Sequence, residues 1–227
     1  MANSCITEYK EQHVYTHEDG ISSAECAKRY SEWAQAGKYE EHLSEEYYQG
    51  PIIAADTLAK LFPEPATRAN VRVLDVAAGT GLVAERLKPR GFSNIDALEP
   101  SEGMLALALA KDLYVSSFTD LLGDQPTSIR TDTYDAAVIS GGMGEGHIPC
   151  SGMKELLRVV KPGGYVVVVM RQQYLSIVPE YIDRLEPLMK KLEQQGKWEA
   201  VSRTVVPRYS FTNDGVVFVF KVKASLP

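Results

Sequence analysis

Apolar residues fall along this chain in two rhythms. Continuous runs occupy residues 71–76, 95–99, 113–118, 134–140 and 165–170. Short runs without polar alternation fit strands of a parallel sheet covered on both faces. Tyr165-Val166-Val167-Val168-Val169-Met170 is the plainest of them and is predicted to lie centrally. Between the runs, apolar positions recur at three- and four-residue spacing, which predicts helices over 82–90, 102–110 and 151–160. Ser101 and Ser151 are placed as N-caps, and Pro162-Gly163-Gly164 as the turn that stops the third helix. A longer helix is expected over about 179–195, with Ile182, Leu185, Leu188, Met189 and Leu192 on one face and a kink or restart at Pro187. Two final strands, about 200–209 and 215–223, are joined by so short a link that they predict an antiparallel hairpin.

Upstream of residue 71 the pattern changes. Residues 1–23 are polar and are read as a flexible terminus, with His13 and His17 on a solvated face. Residues 24–66 form a helical segment: Tyr30 and Trp33 recur at helical spacing, and a second helix follows Pro51 until Pro63 and Pro65 end it. Residues 67–227 are then one α/β domain, a doubly wound seven-stranded sheet with an antiparallel terminal hairpin.

Composition narrows the function classes. A chain of 227 residues with 44% hydrophobic and 24% charged residues suits a single globular core. Its net charge of −6, without Lys or Arg clusters, argues against nucleic acid as a partner. The polar N-terminus lacks the apolar centre of a signal peptide, and no run approaches the roughly 18 apolar residues of a membrane span. Three scattered cysteines, Cys5, Cys26 and Cys150, imply neither a disulfide framework nor a zinc site. The expectation is a cytoplasmic protein without membrane or metal, with monomer and homodimer both open.

The chemistry concentrates in Val71 to Gly81. An apolar run ends in Asp75, enters the small-residue loop Ala77-Ala78-Gly79-Thr80-Gly81, and passes into a helix at Leu82. Glycines there let backbone N–H groups approach a ligand. Glu99 closes the next run, 18 residues past Gly81, where an acid can hold both ribose hydroxyls. Gly79-x-Gly81-x-x-Ala84 also satisfies a dinucleotide fingerprint, so an NAD-dependent oxidoreductase is one reading. Asp75 opposes it, because a pyrophosphate over the loop would meet a carboxylate. S-adenosylmethionine carries an ammonium, a sulfonium and a ribose but no phosphate, and it suits both acids. A plain turn cap is the structural alternative for Asp75.

Together these segments resemble the class I S-adenosylmethionine-dependent methyltransferases. Val73-Leu74-Asp75-x-Ala77-x-Gly79-Thr80-Gly81 is similar to that superfamily's first motif, and Leu98-Glu99-Pro100-Ser101-x-x-Met104 to its ribose and adenine motif. Tyr134-Asp135-Ala136-Ala137-Val138 is similar to its aromatic-aspartate strand, and Leu156 to Gly164 to its closing turn. A narrower likeness is to the Williams–Beuren syndrome region methyltransferase-like family. It rests on Asp75 to Ala84, on Gly142 to Cys150, on Leu192 to Glu199 and on Tyr30-x-x-Trp33. The resemblance implies a Rossmann-like class I methyltransferase fold, S-adenosylmethionine as cofactor and S-adenosylhomocysteine as product. It brings no acceptor. Ala77 stands where most of the superfamily has glycine, which calls for a negative φ there.

By the resemblance, Ala77, Ala78, Gly79, Thr80 and Gly81 would line the methionine moiety, with Asp75 reaching its ammonium directly or through water. Glu99 and Pro100 would hold the ribose, and Met104 would pack on adenine or serve as core. Thr119, Asp120 and Leu121 should pass the adenine edge, with Asp120 accepting its amine. Ser140, Gly141 and Gly142 leave the fourth strand at the end where such sheets bind ligands. Tyr30, Trp33 and Tyr39, with Tyr47 and Tyr48, are read as an aromatic lid or as plain core. Glu145 and His147 are the candidate catalytic bases, needed only if the acceptor holds a proton of high pKa. Met143, Arg171, Tyr174 and Tyr209 are the candidate acceptor contacts. The expected activity is methyl transfer to a small molecule; a cofactor-binding module without turnover and a protein methyltransferase are the alternatives.

Overall fold

The structure, a computed structural model, describes residues 2–224, with side chains from Cys5 onward. Among the described residues the apolar runs become one sheet of seven strands: β1 (Arg72–Val76), β2 (Asn94–Leu98), β3 (Ser116–Phe118), β4 (Tyr134–Ser140), β5 (Val160–Arg171), β6 (Trp198–Ser210) and β7 (Asn213–Val222). Their order is β3-β2-β1-β4-β5-β7-β6. Neighbours among β1 to β5 pair in parallel, and β7 lies antiparallel between β5 and β6. The winding reverses between β1 and β4, so the loops that follow them part and leave a crevice.

Helices α1 (Ala2–Thr16), α2 (Ser23–Gln35) and α3 (Tyr39–His42) precede the sheet, and α4 (Gly50–Leu61), α5 (Leu82–Leu87), α6 (Glu102–Leu109), α7 (Gly152–Val159), α8 (Tyr174–Ile177) and α9 (Leu185–Gln194) complete the order. Val167 and Val169 of β5 face α4 and α5 through Ala54, Ala55, Leu58, Val83 and Leu87. Val166, Val168 and Met170 face α7 and α9 through Met153, Leu156, Val159, Leu185 and Met189. Both faces are thus buried, which is why these strands carry unbroken apolar runs. Each large apolar side chain removed from water in this way contributes roughly 1.5–3 kcal/mol. A buried carboxylate ties three strands together at the opposite end from the crevice. Asp96 on β2 accepts from Arg72 Nη2 on β1 at 2.8 Å and from the Tyr134 hydroxyl on β4 at 2.9 Å.

Several expectations are corrected. The terminus expected to be flexible contains helix α1, whose Tyr9 is buried against Trp33, Ala34 and Met104. His13 and His17 turn inward, not to solvent, and line a cavity. Ser101 does cap α6, accepting from the Met104 N–H at 3.3 Å, whereas Ser151 makes no capping bond and its buried Oγ lacks a partner. The helix expected over 179–195 starts only at Leu185. Pro187 sits in its first turn, where a missing N–H costs nothing. Pro162 to Gly164 does stop α7, but as a bulge inside β5, where pairing jumps from Tyr134↔Val160 to Ala136↔Tyr165. The strand expected over 113–118 shrinks to Ser116–Phe118, because Tyr114 leaves its path to reach Asp75. Ala77 has φ +54°, not the negative value expected for a residue with a Cβ.

Candidate active site

Two adjoining cavities open at the C-terminal ends of the parallel strands, beneath the N-terminal helices. The larger encloses about 890 Å³. Its floor is Ala77 to Thr80; Glu99, Pro100 and Met104 form one wall, Ser140 to Gly142 another, and Cys26, Ala27, Tyr30 and Tyr39 the roof. The loop after β1 is built by alternating backbone handedness: Ala77, Gly79 and Gly81 have φ of +54°, +57° and +93°. A Cβ at Gly142 would stand 2.6 Å from that of Ala77, so the loops after β1 and β4 touch only because position 142 has no side chain.

Glu99 organises the cavity's acidic wall. Its Oε2 accepts from the Gly79 N–H at 2.7 Å and its Oε1 from the Ser101 N–H at 2.8 Å. Burial pushes its carboxyl up to about 7, against the pull of those two N–H groups. Asp75 lies deeper. It is fully buried, is not part of the cavity lining, and accepts from the Tyr114 hydroxyl at 2.7 Å. Burial raises its carboxyl to about 7 as well. Asp75, expected to reach an ammonium directly or through water, thus stands behind the cavity lining.

The smaller cavity encloses about 460 Å³ and shares Tyr30, Tyr39, Tyr48 and Gly141 with the larger. Helix α1 supplies Tyr9, His13 and His17; the strand ends supply Met143, Arg171, Tyr174, Tyr209 and Ser210. The Tyr48 hydroxyl, within the shared wall, pairs with Ser140 Oγ at 3.1 Å and with the Tyr209 hydroxyl at 3.2 Å.

Three imidazoles run along this region. His13 and His17 stack at 4.0 Å between centroids, and His17 lies 4.5 Å from His147. Burial lowers His13 to about 3 and lowers His17 and His147 below the ordinary histidine range. Neutral rings stack without charge repulsion. Nδ1 of His147 faces the Glu145 carbonyl oxygen at 2.7 Å, and a carbonyl only accepts, so that nitrogen carries the proton. Nε2 is then the bare acceptor, and the Tyr30 hydroxyl donates to it at 3.0 Å.

Of the residues expected around a cofactor, Ala77, Ala78, Gly79, Thr80, Glu99, Pro100, Met104, Asp120, Leu121, Ser140, Gly141, Gly142, Tyr30 and Tyr39 line the larger cavity. Gly81 and Thr119 do not, and Trp33 lines only the smaller one. Asp120 accepts from the Ser128 N–H at 3.0 Å and so holds its own loop as well. Of the two candidate bases, His147 faces the larger cavity; Glu145 does not, accepting instead from the Gly20 N–H at 3.1 Å. Met143, Arg171, Tyr174 and Tyr209, far apart in the chain, all meet in the smaller cavity. Cys26 and Ala27 of the roof went unread, although they lie one turn before Tyr30 on the same helix face. Among the described residues no cluster of His, Cys, Asp and Glu is arranged to hold a metal ion.

Sheet order, with the antiparallel β7 between β5 and β6, is that of a class I methyltransferase fold. The chain belongs to the methyltransferase-domain family, whose profile matches residues 39–210, and it is an S-adenosylmethionine-dependent methyltransferase by that membership. It is 36% identical over 179 residues to human methyltransferase-like protein 27, covering 79% of this chain and 70% of that one, which agrees with the Williams–Beuren resemblance. It is also 40% identical over 107 residues to demethylmenaquinone methyltransferase of Clavibacter sepedonicus, 44% of this chain and 41% of that one. A solved structure of Burkholderia thailandensis 1,6-didemethyltoxoflavin-N1-methyltransferase, with that acceptor and S-adenosylhomocysteine bound, superposes with a TM-score of 0.59. It covers 86% of this chain and 87% of the other at 15% identity, a likeness of fold.

Proposed function

We propose that the larger cavity holds S-adenosylmethionine and the smaller one a small-molecule methyl acceptor. The observation that carries this reading is the shared wall: Tyr30, Tyr39, Tyr48 and Gly141 belong to both cavities, so two occupants would meet there. The residues present fit the cofactor. Gly79 and Gly142 leave a cradle without side chains, Glu99 offers an acid to a ribose, and no Lys or Arg lines the larger cavity to repel a sulfonium. A relative and a structural neighbour bear names of small acceptors, demethylmenaquinone and 1,6-didemethyltoxoflavin, and the relative's name supports the same class here.

S-adenosylmethionine, when bound, would supply an electrophilic methyl to the acceptor's lone pair and leave as S-adenosylhomocysteine. The chain's own task is alignment and exclusion of water. Tyr30 and Tyr39, which line both cavities, would cover the methyl of a bound cofactor, and their π faces suit a cation. The Tyr30–His147 pair offers a proton path toward His147 Nε2, but burial holds the imidazole low and the phenol high. Such a pair is a weak base, suited to an acceptor that arrives with its lone pair already free.

Calorimetry with S-adenosylhomocysteine tests the first half of the reading: saturable binding supports it, and absence of heat overturns it. A metabolite extract incubated with isotopically labelled S-adenosylmethionine tests the second half. Label in a small molecule is expected; label only in protein would move the acceptor assignment to a polypeptide.

A further inference from the structure

The smaller cavity carries an unbalanced charge. Arg171 ends β5 with only 9% of its surface exposed. Its Nε donates to Ser210 Oγ at 3.0 Å and its Nη2 to the Tyr9 hydroxyl, both neutral groups. Its guanidinium also lies 5.7 Å from the centre of the Tyr174 ring. Among the described residues no Asp or Glu lines this cavity, and the groups that act most strongly on Arg171 are Tyr174, Tyr9 and Tyr209. Those nearest, Tyr9 and Tyr174, are held protonated by burial, and His13 and His17 are held neutral. The fold therefore does not cancel the cation internally. A buried guanidinium without a counter-ion is unfavourable, and its planar fork matches a carboxylate or a pair of acidic oxygens.

The larger cavity has the opposite polarity, with Glu99 and Asp120 in its lining and no Lys or Arg. Shape adds to charge: the flat rings of Tyr9, Trp33, Tyr174 and Tyr209 line the same cavity as Arg171, with Leu43 and Met143 as the aliphatic part of its wall. Resting on the methyltransferase reading of the two cavities, we propose that the acceptor is a small planar organic anion, its acidic oxygens paired with Arg171 and its ring between the surrounding aromatic faces. The weak basicity of the Tyr30–His147 pair agrees, since an ionised acceptor brings its own electron density to the reaction.

The test uses the full chain saturated with S-adenosylhomocysteine and titrated with matched probes: benzoate, 4-hydroxybenzoate and indole-3-carboxylate against their uncharged amides. At least one carboxylate is expected to bind ten-fold or more tightly than its amide. Arg171→Gln should erase that preference while S-adenosylhomocysteine affinity stays within about two-fold; Arg171→Lys should keep part of it. Equal affinities within every pair, no binding by any carboxylate, or a preference that survives Arg171→Gln would each overturn the inference. If S-adenosylhomocysteine itself fails to bind, the site reading falls and this inference with it. If it binds and the carboxylates do not, only the anionic acceptor falls.

Discussion

Ala77 and Gly142 share one small volume. The Cβ of Ala77 occupies the place a Cβ on Gly142 would need, at a separation of 2.6 Å, and Ala77 holds it there from a left-handed backbone at φ +54°. An L-residue in that conformation costs roughly 1–2 kcal/mol that glycine does not. The side chain has been placed on the first loop and withheld from the fourth. The exchange lets the two loops close over the crevice floor.

Ala77→Gly should therefore stabilise the chain by about 0.5–1 kcal/mol, the relieved strain offset in part by greater freedom of the unfolded chain. Gly142→Ala should destabilise it. In a double-mutant cycle read by urea unfolding, the Gly142→Ala penalty should shrink by about 1 kcal/mol or more when residue 77 is glycine. Additive effects would show that the contact is not what excludes a side chain at position 142.

Glu99→Gln should weaken S-adenosylmethionine binding by roughly 1.5–3 kcal/mol, the range for hydrogen bonds to a charged group. The acid's folded pKa is raised to about 7, so its ionised fraction grows as pH climbs through 7. Affinity for the cationic ligand should rise between pH 6 and pH 8. Calorimetry across that interval should show a flatter dependence in Glu99→Gln, with a remainder from Asp75, which titrates in the same window.

Glu145 and His147 should separate in function. His147→Ala removes the acceptor that orients the Tyr30 hydroxyl on the shared wall and should lower turnover about ten-fold through lost alignment, with S-adenosylhomocysteine affinity changed far less. Glu145→Gln keeps an oxygen for the Gly20 N–H and should leave turnover close to that of the parent. Steady-state rates with any acceptor found in the labelling experiment provide the comparison; a large loss in Glu145→Gln would return that residue to the reacting atoms.

Acid should destabilise the fold through the imidazoles. His13 is neutral in the folded chain down to about pH 3, whereas an exposed histidine takes up its proton near 6.5. The unfolded state therefore binds more protons between those values, and stability present above pH 6.5 is lost as pH falls toward 3. His13→Gln should flatten the slope of stability against pH in that interval by up to about 1.4 kcal/mol per pH unit. His17 keeps part of the slope, since its shift has the same sign. Thermal melts in a series of buffers measure it.

Four of the parallel strands, β1, β2, β4 and β5, were legible because both faces of the sheet are buried there, and Val166 to Met170 needs no tertiary knowledge to be read; β3, short and exposed, carries no such run. Glu99 was legible because its place after β2 follows from the loop before it. Helix α1 was not, for a physical reason. Its inward stripe is Tyr9, His13, Thr16 and His17, which has helical spacing but is built from polar-tipped side chains that a search for aliphatic periodicity passes over. Arg171, Tyr174 and Tyr209 could be flagged singly at strand ends. Their meeting depends on β7 threading between β5 and β6, which no local pattern reveals. The place of Asp75 behind the lining was not legible, because its partner, Tyr114, lies 39 positions away.

The two cavities draw on different stretches of the chain. Every described residue lining the larger one comes from Ser23 or later, while three that line the smaller one come from the first seventeen. Exchanging the segment before Ser23 would therefore reshape the smaller cavity and leave the lining of the larger one as it is.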